Sequence, residues 1–231
     1  MQHARFRILL ASLALLLIAL PVTPYLGEAT RALLAVLYCL MFASATFAVS
    51  EGLRTTALMR SLFAIAVGTQ LIHVLGESDF VLWLSRVCSV LFLLALVFLI
   101  LRHVYKETRV NSETICAALT AYLLLGFIWA NTYSLIDRIN PSAFDFPVSA
   151  DGSLLRTFSS ETLLDELYFS FVTLTTLGYG EITPLSPTAS MLVISEAIVG
   201  QFFLAVLIAR LIGLQIAHKT SPRDDETPLG P

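Results

Sequence analysis

The sequence predicts an all-α membrane protein with six transmembrane helices and one shorter apolar helix that enters the membrane without crossing it. Hydrophobic residues make up 57% of the 231 residues and charged residues only 13%. Soluble domains have roughly 45–50% apolar and about 25% charged residues. The apolar residues are also grouped into long stretches, and a helix needs about 20 such residues to span a bilayer. Composition and grouping together indicate a chain that folds in lipid.

Six apolar stretches have roughly the length of a membrane span. They run over Phe6–Val22, Arg31–Ser50, Ala57–Leu75, Phe80–Leu101, Ile115–Ile136 and Thr188–Ile216. The third is the weakest, because Gln70 and His73 interrupt it. The first could instead be a cleaved signal peptide, since Arg5 and Arg7 precede an apolar run that ends near Pro21. Cleavage would leave the topology of the following helices unchanged.

The seventh apolar segment, Thr162–Leu174, is too short to span the membrane. We interpret it as a re-entrant helix, which must be covered by protein because lipid cannot satisfy irregular backbone. Turn-forming residues occupy the loop before it, Asp137–Glu161, which contains Asn140-Pro141 and Asp151-Gly152. Residues 218–231 are rich in proline and charge, and we expect a short disordered cytoplasmic tail there.

Basic residues are concentrated in alternate connecting segments. If the N-terminus is cytoplasmic, the inner segments hold ten of the 14 basic residues, namely Arg5, Arg7, Arg54, Arg60, Arg102, Lys106, Arg109, Arg210, Lys219 and Arg223. The outer loops hold only Arg31, Arg138 and Arg156, and Arg86 lies within a helix. Positive residues favour the cytoplasmic side of membrane proteins. The distribution predicts a multi-pass protein of the cell (plasma) membrane with both termini in the cytoplasm.

The segment after the short helix reads Thr175-Thr176-Leu177-Gly178-Tyr179-Gly180. Glycines at every second position allow a backbone that alternates between ordinary and left-handed conformations, because residues without a Cβ adopt left-handed values at little cost. Such alternation turns successive carbonyls toward one axis. The segment resembles the selectivity filter of potassium channels, whose usual core reads Thr-Val-Gly-Tyr-Gly and whose carbonyls replace the hydration shell of the ion.

The resemblance implies a potassium-selective channel subunit of the pore-loop, voltage-gated-like cation channel superfamily, similar to its small prokaryotic members. K+ would bind, as the permeant ion and without a cofactor, at the carbonyls of Thr176, Leu177, Gly178, Tyr179 and Gly180. One chain supplies one filter strand, so the family arrangement implies a homotetramer in the lipid bilayer.

The resemblance also divides the chain into three parts. Residues 1–109 would form a four-helix N-terminal membrane domain, residues 110–217 a pore domain of helix 5, pore helix, filter and helix 6, and residues 218–231 the tail. Four helices before a pore pair is a familiar channel layout, which is why we expect the first helix to be retained rather than cleaved.

The fourth predicted helix lacks the arginine repeat of a voltage sensor. Arg86 is followed at three-residue spacing by Ser89, Phe92 and Ala95. We therefore expect weak voltage dependence and a pairing of Arg86 with a nearby acid, Glu77 or Asp79. The sequence does not specify the opening stimulus: stretch, pH, lipid, voltage and constitutive leak all stay open.

Five residues are candidates for supporting the filter, namely Thr175, Glu181, Tyr168, Phe169 and Glu196. The ring of Tyr179 is expected to wedge against the aromatic residues of the pore helix. Glu181 stands where the family commonly has an aspartate that bonds behind the filter, although it could instead be a solvated carboxylate. Glu196 could brace the pore helix through Ser170 or Thr173, or it could make a purely structural bond between helices.

The last apolar stretch contains candidates for the cavity and the gate. Gly200 occupies the position of a family hinge glycine, with close helix packing as the alternative. Gln201 could face the cavity below the filter. Ile208, Ile212 and Ile216 share one helix face, which could form a hydrophobic gate or serve only for packing.

Acidic residues outnumber basic ones around the predicted pore mouth. Between Asp137 and Glu181 there are seven acids and two arginines. We expect these acids, Asp165 and Glu166 among them, to raise the local concentration of cations.

Several other classes of protein are disfavoured. Metalloprotease, serine hydrolase and phosphate-loop motifs are missing, so the chain does not look like an enzyme, and it has no basic aromatic patch for nucleic acid. Cys39, Cys88 and Cys116 all lie in apolar stretches, and we expect free thiols. Three alternatives stay open: a non-selective cation channel, a channel-like potassium transporter, and a regulatory subunit with an inactive pore.

Overall fold

The computed structural model of the chain describes residues 5–20, 29–48, 60–61, 63–65, 67–68, 79–107, 111–146 and 163–220. Its delimited helices are α1 (Arg5–Ala19), α2 (Ala29–Ala48), α3 (Asp79–Lys106), α4 (Ser112–Ile139), α5 (Leu164–Leu174) and α6 (Pro187–Thr220). Two short strands, β1 (Phe144–Asp145) and β2 (Thr183–Pro184), form an antiparallel pair. The described chain is therefore mostly helical, as the sequence predicts.

Five of the six predicted membrane stretches coincide with α1, α2, α3, α4 and α6. The third stretch, with Gln70 and His73, lies mostly outside the described residues. Among the described helices, three are long and apolar enough to cross a membrane, over Trp83–Lys106, Ser112–Ile139 and Pro187–Ile216. These helices identify a membrane protein, while the total of six spans stays a prediction.

The C-terminal helix is longer than the sequence predicts. We expected disorder from residue 218 onward, but α6 continues to Thr220. The first proline after Ile216 is Pro222, so no residue before Thr220 removes a helical hydrogen bond. The rest of the predicted tail, 221–231, lies outside the described residues.

Helix α4 is the centre of the packing. It contacts α1, α3, α5 and α6. Its side chains Leu124 and Phe127 are buried in a core that also takes Leu13 from α1, Phe92 from α3 and Leu167 from α5. A single helix thus connects the N-terminal helices to the short helix α5.

A second, smaller core lies where α4 and α5 meet the strand pair. Tyr133 of α4 and Phe169 of α5 are both buried there, with Phe144 of β1 between neighbouring aromatic rings. The ring centroid of Phe169 lies 5.3 Å from that of Tyr133 and 5.6 Å from that of Phe144. This core fixes the short helix against the C-terminal half of α4.

Polar contacts tie the opposite end of the molecule together. Arg7 of α1 forms an ion pair with Glu113 at 3.0 Å, and the guanidinium of Arg210 donates to the carbonyl of Glu107 at 3.0 Å. The Arg210 guanidinium also lies 5.0 Å from the centroid of the Tyr105 ring. The start of α1 and α4 and the ends of α3 and α6 therefore lie at the same end, which is the arrangement that the charge distribution predicts.

Arg86 is buried within the helix packing. Its Nε has no hydrogen-bond partner among the described residues, and its electrostatic neighbours are Tyr38, Glu166 and Arg138. Glu77, one of its expected partners, lies outside the described residues, as does the side chain of Asp79. The predicted pairing with either acid therefore stays a prediction.

Candidate functional site

The candidate site is the loop that follows α5, and it folds back against the end of that helix. The amide of Thr176 donates to the carbonyl of Thr173 at 2.9 Å, and the amide of Leu177 donates to the carbonyl of Val172 at 2.9 Å. The amide of Gly178 reaches the same Val172 carbonyl at 3.3 Å. The position of the loop therefore depends directly on the position of α5.

The backbone of the loop alternates in handedness. Thr176, Gly178 and Gly180 have positive φ values of 59°, 61° and 83°, whereas Leu177 and Tyr179 do not. The left-handed glycines agree with the sequence prediction. Thr176 was not foreseen, because a β-branched residue rarely adopts positive φ. The alternation extends over five residues and can direct their carbonyls to one side of the loop.

The two glycines of the loop are not required by a lack of space for a side chain. A Cβ added to Gly178 or Gly180 would meet no atom of the described residues within 4 Å. Their conformation is the constraint, since left-handed backbone disfavours any residue with a Cβ.

The side chains of the loop are largely uncovered in one chain. Leu177 is 55% exposed and Tyr179 is 63% exposed. The expected wedge between Tyr179 and the helix aromatics is not formed within the single chain, because Phe169 packs away from the loop, onto Tyr133 and Phe144. The second expected partner, Tyr168, instead bonds to the exit of the loop.

Tyr168 and Glu181 connect α5 to the residues that follow the loop. The Tyr168 hydroxyl donates to Oε2 of Glu181 at 2.7 Å. This bond to the carboxylate is the main reason why the pKa of Tyr168 is raised to about 12. Glu181 thus bonds to a partner on the short helix, as expected from the family position, while the residue itself stays exposed.

A buried carboxyl lies behind the loop. Glu196 of α6 accepts from the Ser170 hydroxyl at 2.5 Å and from the Tyr133 hydroxyl at 2.5 Å. Ser170 also reaches the carbonyl of Gly126 at 2.9 Å. The expected contact with Ser170 is present. Sequence reasoning missed Tyr133, although a tyrosine in an apolar stretch usually needs a partner for its hydroxyl.

Two glycines let the neighbouring helices approach α5 closely. A Cβ on Gly200 would lie 2.8 Å from Cδ1 and 2.9 Å from the carbonyl oxygen of Leu174, and a Cβ on Gly126 would lie 2.8 Å from the Phe171 ring. A bond from the Tyr122 hydroxyl to the Leu174 carbonyl, 3.2 Å long, adds to this contact. The structure therefore gives Gly200 a packing role, and its function as a hinge stays a prediction.

The remaining residues predicted on α6 are uncovered in one chain. Gln201, Ile208, Ile212 and Ile216 are exposed. The three isoleucines lie on one helix face, as expected, and each is more than half exposed in one chain. Their role as a gate stays a prediction.

Two acids predicted at the pore mouth are not exposed. Asp165 and Glu166 are both buried in the first turn of α5. Their carboxylates therefore have little contact with solvent, and the expectation that they raise the local concentration of cations stays a prediction. Acidic residues in the first helical turn are instead favoured by the helix dipole.

The three cysteines of the chain are partly buried. Cys39, Cys88 and Cys116 form no disulfide, and no group of three or more metal-ligating side chains occurs among the described residues.

One family and two curated relatives match parts of the chain. Residues 114–214 match the family described as Ion channel. The chain is 44% identical over 48 residues to Two pore potassium channel c of Oryza sativa subsp. japonica, which covers 21% of this chain and 10% of that protein. It is 27% identical over 110 residues to Two pore potassium channel a of the same organism, covering 48% of this chain and 26% of the relative.

These matches cover only part of each relative, about a tenth and about a quarter of its length. No solved structure matches the chain significantly. The family match begins in α4, continues through α5 and its loop, and ends in α6. It includes the loop and the residues of α4 and α6 that contact α5, but not Ile216.

Proposed function

We propose that this chain is a subunit of a potassium-selective channel. Its residues 114–214 match an ion-channel family. K+ passes down its electrochemical gradient through a filter made of the carbonyls of Thr176, Leu177, Gly178, Tyr179 and Gly180. An entering ion loses its water, and the carbonyl oxygens replace that shell. No cofactor takes part.

The observation that carries this proposal is the alternating backbone of the loop. Positive φ at Thr176, Gly178 and Gly180, separated by ordinary values at Leu177 and Tyr179, is the conformation that lines up carbonyls along one axis. The similarity to two rice proteins described as two-pore potassium channels supports potassium as the ion. Tyr179 also favours K+ selectivity, because non-selective relatives tend to lose this tyrosine.

We propose a homotetramer, since one loop can supply only one side of a carbonyl cage. Helix α6 supports assembly, because only 11% of the residues in its most apolar segment are buried in one chain. The corresponding share for α4 is 61%. Its exposed face carries Gln201, and polar residues at membrane depth usually face protein or water. An apolar cavity of about 310 Å³ beside Val172, Thr175 and Leu177 leaves further space for a neighbouring subunit.

We propose that α5 is the re-entrant pore helix. Its 11 residues rise about 16 Å at 1.5 Å per residue, roughly half of the ~30 Å hydrocarbon core. Protein covers it, since Leu164, Leu167, Ser170 and Leu174 are buried. The filter then lies toward the outer face, with α4 and α6 as the flanking helices of the pore domain 110–217.

The rest of the architecture follows the same assignment. Residues 1–109 form a four-helix membrane domain without the arginine repeat, so opening depends weakly on voltage. Both termini lie in the cytoplasm, and the channel resides in the plasma membrane. The polar contacts that join Arg7 to Glu113 and Arg210 to Glu107 are at the cytoplasmic end in this orientation.

Recording from the purified protein in planar bilayers tests the proposal. With K+ on one side and Na+ on the other, the reversal potential should lie far from zero in the direction that K+ selectivity requires, and Rb+ should replace K+. A reversal potential near zero would indicate a non-selective channel. Chemical cross-linking in detergent should stop at four subunits, and a product limited to one chain would contradict the tetramer.

A further inference from the structure

Three buried side chains from three helices meet behind the filter loop. Tyr133 of α4, Ser170 of α5 and Glu196 of α6 each have 0% exposed surface. We call this set, together with the carbonyl of Gly126, the brace. It contains three contacts: Tyr133 Oη to Glu196 Oε2 at 2.5 Å, Ser170 Oγ to Glu196 Oε1 at 2.5 Å, and Ser170 Oγ to the Gly126 carbonyl oxygen at 2.9 Å.

The two hydroxyls of the brace carry too few hydrogens for its three contacts, so the side chain at position 196 has to donate one. Three oxygen–oxygen contacts need three hydrogens, but a tyrosine and a serine hydroxyl each donate only one. If Ser170 donates to the Gly126 carbonyl, its contact with Glu196 needs a hydrogen from position 196. A side chain with one acceptor and one donor, such as a carboxylic acid or a carboxamide, completes all three bonds.

The charges around Glu196 give no reason for an anion there. No Lys or Arg of the described chain forms an ion pair with it, and its hydrogen-bond partners are the two neutral hydroxyls. A buried charge is normally paired with an opposite charge. The arrangement is therefore built for hydrogen bonding.

The brace is mechanically connected to the filter. Ser170 lies on the same helix as Val172 and Thr173, whose carbonyls accept from the amides of Thr176, Leu177 and Gly178. A rotation of α5 would therefore move the alternating segment directly. The brace and the close contacts at Gly126 and Gly200 hold α5 from both sides.

We propose that Glu196 is a positioning residue for ion selectivity, which holds α5 through Tyr133 and Ser170 and acts by its hydrogen bonds rather than by a negative charge. The proposal rests on the assignment of the loop as a potassium filter. It adds Tyr133 and Ser170 to the residues that determine selectivity, although neither can contact an ion.

The matched variants are Glu196→Gln and Glu196→Leu. A glutamine can donate to Ser170 and accept from Tyr133, so its Na+/K+ permeability ratio should stay within about twofold of the original. A leucine leaves the Tyr133 hydroxyl without a partner and leaves Ser170 only its bond to the Gly126 carbonyl. The ratio should rise by about tenfold, which corresponds to about 1.4 kcal/mol. Tyr133→Phe removes one bond of the brace and Ser170→Ala removes two, and both should give intermediate increases because Glu196 keeps one partner.

Thr132→Val is the control, because the Thr132 hydroxyl bonds only to the Ile128 carbonyl of its own helix. It should leave the permeability ratio unchanged. The ratio comes from the reversal potential and does not depend on how many channels assemble, so a general loss of stability would not change it. An equal shift for Glu196→Gln and Glu196→Leu would show that the charge matters and overturn the proposal. An unchanged ratio for Glu196→Leu would overturn it as well.

Thermal unfolding of the detergent-solubilised protein tests the brace independently of conduction. In a double-mutant cycle, Tyr133→Phe and Glu196→Leu should together lower the Tm by clearly less than the sum of the single changes. Additive changes would show that the two side chains are not coupled and refute the brace. If the wild-type chain proves non-selective while the cycle shows coupling, the proposed function fails and the brace remains as a structural contact.

Discussion

The front and the back of the filter loop are stabilised in opposite ways. At the front, Leu177 and Tyr179 are largely exposed, and the two glycines have open space around them. At the back, Ser170, Glu196 and the two glycines at 126 and 200 are packed tightly between three helices. One chain therefore covers the back of the loop and leaves its front open, as the proposed assembly of several copies around one axis requires.

The strongest test of this contrast is Gly178→Ala. An alanine fits the space but not the left-handed conformation, which costs a residue with a Cβ roughly 1–2 kcal/mol. We expect a loss of K+ selectivity, seen as a reversal potential close to zero with Na+ opposite K+. Gly213→Ala is the matched control, because Gly213 has no positive φ and a Cβ there meets nothing within 4 Å of the described residues. Retained selectivity in Gly178→Ala would contradict the filter assignment.

The corresponding change at the back is Gly200→Ala. Its Cβ would lie 2.9 Å from a backbone oxygen of Leu174, so α5 and α6 must separate. Overpacking of this kind costs typically 1–3 kcal/mol. We expect a lower Tm and less assembled channel, while Gly126→Ala should have a smaller effect because the Phe171 ring can move aside. If Gly200→Ala instead changes the open probability at an unchanged Tm, Gly200 is a hinge.

The sequence predicts the contacts of this site less well when the contacting residues are far apart along the chain. The left-handed conformations of Gly178 and Gly180 follow from residue type, whereas the same conformation at Thr176 depends on the bond from its amide to Thr173. The contact between Glu196 and Ser170 could be anticipated, because both candidate partners of Glu196, Ser170 and Thr173, lie on the predicted pore helix. Tyr133 could not, since 63 residues separate it from Glu196.

The burial of Asp165 and Glu166 was also beyond sequence reasoning. Acidic residues beside a pore mouth are most simply interpreted as exposed, and only the packing of α5 shows otherwise. The helices, in contrast, could be predicted from the sequence. Five apolar stretches correspond to the helices of the structure, because a long run of apolar residues has few other stable conformations in lipid.

A smaller effect on selectivity is expected from a change at Tyr168, which connects α5 behind the loop to the residues that follow the loop. Tyr168→Phe removes the 2.7 Å bond to Glu181 and leaves the ring in place. We expect an increase of about two- to fivefold in the Na+/K+ permeability ratio, since bonds to charged groups are stronger than average but this one is exposed. Tyr105→Phe, which removes a hydroxyl at the opposite end of the chain, should have no such effect. Equal ratios in both variants would show that the loop exit does not depend on Tyr168.

The smallest effect is expected outside the filter, at Arg86. One charge crossing 100 mV contributes about 2.3 kcal/mol, so four copies would give at most about 9 kcal/mol even with full travel. Burial within the helix packing limits such travel. Arg86→Gln should therefore leave a shallow conductance–voltage slope nearly unchanged. A steep curve that flattens in this variant would show that α3 senses voltage.

The wide sequence separation within the brace has a consequence for biosynthesis. Its three contacts join residues 26, 44 and 63 positions apart, and the last member, Glu196, is on the final described helix. When α4 and α5 have already left the ribosome, the hydroxyls of Tyr133 and Ser170 still lack their common partner, Glu196. The contacts that hold α5 to α6 from behind can therefore form only after α6 has been synthesised.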